Sequence, residues 1–151
     1  MTDEVEGGFV ARFPVKIDRA FGDGYATFQA LGGEPGIRSL VESFYRLMDS
    51  MEETKRIRDL HPLDLSESTL KLICFLCGWT GGPKRYAEIY GPMRIPQAHA
   101  HLPVGVAERD AWLLCMARAL DEQPYSEELK KYMLKELYRP AERIRAVVAA
   151  Q

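Results

Sequence analysis

The chain has 151 residues, enough for one domain that buries roughly two thirds of its unfolded surface and needs no staples to fold. Hydrophobic residues make up 46% and charged residues 28%, the balance of an ordinary globular domain rather than of a disordered or membrane chain. A formal net charge of −2 removes nucleic acid from the expected partners, because phosphate recognition needs a basic excess.

The first eight residues are acidic and poor in apolar side chains, the reverse of a secretory signal, and no apolar run approaches the ~18 residues of a membrane span. The expectation is a cytoplasmic protein without membrane contact, with an N-terminal arm over residues 1–20 and one domain over residues 21–151. Cys74, Cys77 and Cys115, an odd number without an export signal, read as free thiols.

A short helix is predicted from about Tyr25, stopped by Gly32 and Gly33. The next begins at Glu34 and Pro35, with apolar residues at Ile37, Leu40, Val41, Phe44, Met48 and Met51 spaced three and four apart along one face. Tyr45 stands at the edge of that face. The charged run from Glu52 to Asp59 reads as a short solvated helix, and Pro62 biases His61 away from helix.

Caps between Asp64 and Ser68 predict a buried helix through Leu72 and Phe75 to Trp79, stopped by Gly81, Gly82 and Pro83. A short helix to Tyr90 and a weak, proline-broken segment from Arg94 to His101 follow. Two longer helices are then expected, from about Ala107 to Glu122 and from Ser126 to Ala149, the second kinked or divided at Pro140. With no paired strands, the fold class is all-α.

Cys74 and Cys77 have the spacing of a metal or redox pair, yet they are embedded in an apolar helical run where a zinc knuckle would need a turn. Packing is the simpler reading. A zinc site joining both to His99 and His101 fits by ligand type but lacks zinc-ribbon spacing. No nucleophile elbow, phosphate loop or dinucleotide fingerprint is present. A histidine taken singly is more often a surface or satisfied core residue than a ligand. His99, however, precedes a helix-breaking turn, and Tyr45, His61 and Trp112 are polar or aromatic groups set among apolar patterns. Buried groups of these kinds need partners.

Four blocks carry a resemblance: residues 31–45, 61–66, 75–83 and 99–112. In this order they resemble the motifs of the group II truncated haemoglobins, over about residues 25–149. The resemblance implies a two-over-two helical sandwich enclosing haem b. In that family the proximal iron ligand stands thirteen residues before a tryptophan. That interval before Trp112 selects His99, with His101 as runner-up near the haem edge or solvent. By the same matching, Tyr45, His61 and Trp112 are the distal groups that stabilise ligand, Ser68 and Leu72 face the iron, and Phe44 and Phe75 wall the pocket. The chain departs from the family before His99, where the usual arginine is replaced by Ala98. Arg94, Lys84, Arg85 and Tyr86 are then the candidates toward the propionates, and Pro96 implies a short or distorted proximal helix.

The resemblance implies binding of oxygen, and of nitric oxide, carbon monoxide, cyanide or peroxide, by a monomer or homodimer served by an unidentified reductase. A hydrogen bond to a charged partner contributes about 1.5 to 3 kcal/mol, so each distal donor slows oxygen release ~10-fold to 100-fold. That favours redox chemistry such as nitric oxide dioxygenation or peroxide reduction over bulk transport. The alternatives are an oxygen or redox sensor, a helical interaction module, and a zinc-binding helical protein.

Overall fold

The computed structural model describes residues 20–92 and 94–150, and among them every regular element is a helix. The expected N-terminal arm lies, apart from Ala20, outside the described residues. The helices run in order as α1 (Ala26–Ala30), α2 (Gly33–Ser50), α3 (Lys55–Asp59), α4 (Ser66–Trp79), α5 (Arg85–Tyr90), α6 (Ile95–Ala98), α7 (Val106–Asp121) and α8 (Glu127–Ala149). The long helices form the frame: α2 packs against both α4 and α7, and α7 packs against α8.

The stripe on α2 forms as its spacing predicts, with Ile37, Leu40, Val41, Phe44 and Met48 all fully buried. Met51 departs from it. The helix ends at Ser50, and Met51 takes an extended conformation. Thr54 supplies the reason: its buried hydroxyl lies 2.8 Å from the Met48 carbonyl and 3.2 Å from that of Met51, satisfying acceptors that a continuing helix would have used. A 3-10 turn (Glu52–Thr54) then leads into α3, where Ile57 is buried. The charged run is therefore pinned to the core at Thr54 and Ile57 rather than wholly solvated.

The glycine stop after α4 has a geometric cause. Gly81 has φ +99°, and a Cβ there would lie 2.0 Å from the Gly24 carbonyl oxygen. Close approach of the backbone just before α1 depends on that missing side chain, and the Phe28 N–H donates to the Thr80 carbonyl beside it at 3.0 Å. At the opposite junction the Tyr125 hydroxyl donates to the Leu31 carbonyl at 2.7 Å, joining the α7–α8 turn to the α1–α2 turn.

Ser126 caps α8 as expected, accepting from the Leu129 N–H at 3.1 Å. The helix is not divided at Pro140 and continues to Ala149. Proline lacks the N–H that would bond the Glu136 carbonyl, and the helix runs on past that one missing donor. The segment before His99 forms only the four-residue α6, with Pro96 in its first turn, packed against α8. No helix among the described residues is long and apolar enough to cross a membrane.

Candidate functional site

Phe44 and Tyr45 leave α2 side by side, their rings edge to face with centroids 5.0 Å apart. Phe44 meets Trp112 of α7 at 5.2 Å, and Tyr45 meets the His61 ring, edge to face, at 5.8 Å. Residues from α2, α7 and the turn after α3 thus make one aromatic cluster. The Tyr45 hydroxyl points to the start of α4, where the Ser68 carbonyl lies 3.4 Å away. Among the described residues, none accepts a hydrogen bond from the Trp112 indole.

His61 is half-buried, and its Nδ1 lies 2.8 Å from the Ile57 carbonyl oxygen. His99, in the turn that closes α6, has its Nδ1 2.7 Å from the Ile95 carbonyl oxygen. A carbonyl only accepts, so each Nδ1 carries a proton, and in the neutral tautomer of each ring Nε2 is the nitrogen with the free lone pair. His101 is exposed.

Burial sets the protonation of the cluster. It pushes the Tyr45 phenol well above the usual tyrosine range, so the hydroxyl keeps its proton and remains a donor. Burial, opposed by the hydrogen bond to the Ile57 carbonyl and aided by the Arg58 charge, holds His61 below the ordinary histidine value and favours the neutral ring. Cys115 sits behind Phe44, its Sγ 3.2 Å from the Phe44 carbonyl, and burial pushes its thiol up to about 12.

The other sequence-predicted residues divide between the two ends of α4. Ser68 and Leu72 are half-buried, Leu72 packing on the core. Phe75 stacks on Trp79 at 5.9 Å, further along the helix. Tyr86 pairs with Tyr90 at 5.0 Å, and Arg94 is exposed just before α6. Lys71 escaped the sequence reading: its Nζ lies 5.2 Å from the Tyr90 ring centroid, which brings a cation beside the tyrosine pair. Its place one residue before Leu72 was the available signal.

The four-ligand zinc arrangement is not formed. Among the described residues, no three His, Cys, Asp or Glu side chains gather where they could hold a metal. Cys74 and Cys77 are buried free thiols in α4, and burial pushes Cys77 up to about 11, keeping it protonated and a poor ligand.

The family model for bacterial-like globins matches residues 26–146. The group 2 truncated hemoglobin YjbI of Bacillus subtilis (strain 168) is 32% identical over 108 residues, covering 72% of this chain and 79% of that protein. Among solved structures, a group II 2-on-2 hemoglobin from Agrobacterium tumefaciens superposes with a TM-score of 0.76 at 35% identity, covering 87% of this chain and 98% of that one. A truncated oxygen-avid haemoglobin from Bacillus subtilis gives 0.70 at 30% identity, covering 78% and 97%. The all-helical frame is that of the 2-on-2 hemoglobins. With the family model spanning α1 to α8, the chain belongs to the bacterial-like globins, in their group II truncated branch, and is a haem-binding globin.

Proposed function

We propose that the chain holds haem b through His99 Nε2, binds oxygen and other diatomic ligands beneath Tyr45, Trp112 and His61, and uses them in redox chemistry rather than bulk transport. The observation that carries this reading is the pairing of one anchored imidazole, His99, with a separate cluster of protonated donors around Phe44. The donor set fits haem: a single imidazole with apolar and aromatic surroundings suits an iron that brings four ring nitrogens of its own. Haem b, when bound, supplies an iron that coordinates the ligand and exchanges electrons with it.

The chain's own groups account for the rest. The Nδ1 proton of His99 on the Ile95 carbonyl orients the ring and raises the basicity of Nε2. Phe44, Leu72 and Phe75 exclude water, while Ser68, small at the start of α4, leaves an entry path. The Tyr45 hydroxyl and the Trp112 indole donate to a ligand atom carrying negative charge, with His61 behind Tyr45. Lys71, Tyr86 and Arg94 are the groups offered to the propionates.

Two donors acting together hold oxygen tightly, which suits consumption of oxygen better than its delivery. The name of the oxygen-avid relative is in keeping with this. Nitric oxide dioxygenation, in which nitric oxide, oxygen and one electron give nitrate, needs that electron from a reductase. Reduction of peroxide is the companion activity, since donors that hold oxygen also polarise an O–O bond.

The visible spectrum of the purified, haem-supplemented protein tests the reading. A Soret band is expected that is lost in His99→Ala and kept in His101→Ala. Failure to take up haem, or a band unaffected by His99→Ala, would overturn it. Steady-state assays with nitric oxide and with peroxide then separate the two activities.

A further inference from the structure

The crossing of α2 and α7 behind Phe44 holds a polar group that the proposed function does not use. Cys115 lies on α7 one helical turn after Trp112, so both side chains leave the same face of that helix. It is fully buried, and its thiol donates to the Phe44 carbonyl at 3.2 Å, joining α7 to the main chain of α2. Burial keeps the proton on sulfur, which makes the group a donor and not a nucleophile. The sulfur is also near enough to the Tyr45 phenol to interact with it electrostatically. Cys115 therefore meets the main chain of the residue whose ring lies 5.0 Å from Tyr45 and 5.2 Å from Trp112. Those two groups are weakly tethered at their own tips. The Tyr45 hydroxyl has the Ser68 carbonyl at 3.4 Å, near the limit of a hydrogen bond, and among the described residues none accepts from the Trp112 indole.

We propose that Cys115 is a positioning residue: its small side chain and its S–H bond to the Phe44 carbonyl set how closely α7 approaches α2, and so the distance from which Tyr45 and Trp112 reach a bound ligand. The inference rests on the reading of those two groups as ligand donors. A thiol suits the place for two reasons. Its modest volume fills the crossing that Phe44 leaves, and its one proton spans the gap to a main-chain oxygen. Alanine there opens a cavity into which Phe44 and Trp112 can shift, whereas a larger side chain drives the helices apart. A hydrogen bond weakens steeply with distance and angle, so a small shift of either donor changes ligand release without removing the donor.

The test uses Cys115→Ala and Cys115→Ser in the full-length, haem-supplemented protein. Oxygen and carbon monoxide dissociation rates are read by stopped flow, the C–O stretch of the carbon monoxide complex by infrared spectroscopy, and folding by urea midpoints. Cys115→Ala should raise the oxygen rate about 3-fold to 10-fold, part of the factor for losing a whole donor, shift the C–O stretch, and leave the carbon monoxide rate nearly unchanged. Cys115→Ser, which keeps a small donor, should restore the natural oxygen rate and stretch. Added to a Tyr45→Phe, Trp112→Phe chain, Cys115→Ala should have no further effect on oxygen release, because the groups it positions are gone. An oxygen rate unchanged in Cys115→Ala would overturn the proposal. So would a serine variant no nearer to the natural rate than the alanine one, an equal rise for oxygen and carbon monoxide, or a full effect in the doubly substituted chain. Should Cys115→Ala not fold, Cys115→Thr, which keeps a donor and adds a methyl group, replaces it, and an unchanged oxygen rate there overturns the proposal too. Unchanged oxygen release in both Tyr45→Phe and Trp112→Phe would defeat the donor reading together with this one. Raised release in those variants and none in Cys115→Ala would defeat this one alone.

Discussion

His61 and His99 are held by the same device: each Nδ1 lies against the carbonyl oxygen four residues earlier, Ile57 at 2.8 Å and Ile95 at 2.7 Å. Both follow a short helix, and in both the shared proton fixes the tautomer and leaves Nε2 available. Their surroundings then separate them. His61 lies edge to face with Tyr45 inside the aromatic cluster around Phe44, whereas His99 closes α6 beside the break made by Pro96 and the turn to α7.

Removal of one distal donor at a time should show in oxygen release. Tyr45→Phe and Trp112→Phe are each expected to raise the oxygen dissociation rate by ~10-fold to 100-fold, read by stopped-flow ligand replacement. Unchanged rates in both variants would mean that neither group reaches the ligand.

Stability should fall on the acid side in part because of His61. Its folded value is lowered from 6.5 by burial, so the unfolded chain takes up the proton first. The unfolded state thus binds more protons, and stability is lost as pH drops below about 6.5 towards the folded value. Urea midpoints measured from pH 7 down to pH 5 should decline less steeply for His61→Phe than for the natural chain. Parallel declines would contradict this account.

Glu108 links the start of α7 to α3. Its carboxylate accepts from the Gly105 N–H at 2.8 Å and meets Arg56 at 2.6 Å, while its own side chain is only 9% exposed. Glu108→Ala leaves the Gly105 N–H and the Arg56 charge without their acceptor and should cost about 1 to 3 kcal/mol. Arg56→Ala should cost less, about 0 to 1 kcal/mol, because that guanidinium is 75% exposed. Chemical denaturation gives the order; equal costs would show that the capping bond to Gly105 is of no consequence.

Gly81→Ala should destabilise the fold by ~2 kcal/mol or more, since it adds both a strained positive φ and a contact with the Gly24 carbonyl that only backbone movement can relieve. The thermal midpoint measures it. A variant as stable as the natural chain would show that the α4 end and the segment before α1 can separate at little cost.

Much of this was legible from local patterns. The buried stripe of α2, the serine cap of α8 and the shortness of α6 each follow from spacing, capping chemistry or the fixed φ of proline, all of which act within a few residues. The thirteen-residue interval that singled out His99, by resemblance to a family, is likewise a property of the linear chain. Met51 was misplaced because the end of α2 depends on a hydroxyl supplied from Thr54, beyond the helix itself.

The remainder was decided only when distant segments met. Tyr45 touches His61 and points to Ser68, Glu108 reaches Arg56, Lys71 leans on Tyr90, and α4, α6 and α8 enclose a groove that no single helix announces. Such contacts join residues up to about seventy positions apart, and they arise from how whole helical faces are buried against one another. Periodicity states which face of a helix turns inward. The tertiary packing decides what that face meets, and so places Phe44 and Trp112 in one cluster and the arginines of α8 over Phe75 and Trp79 in another.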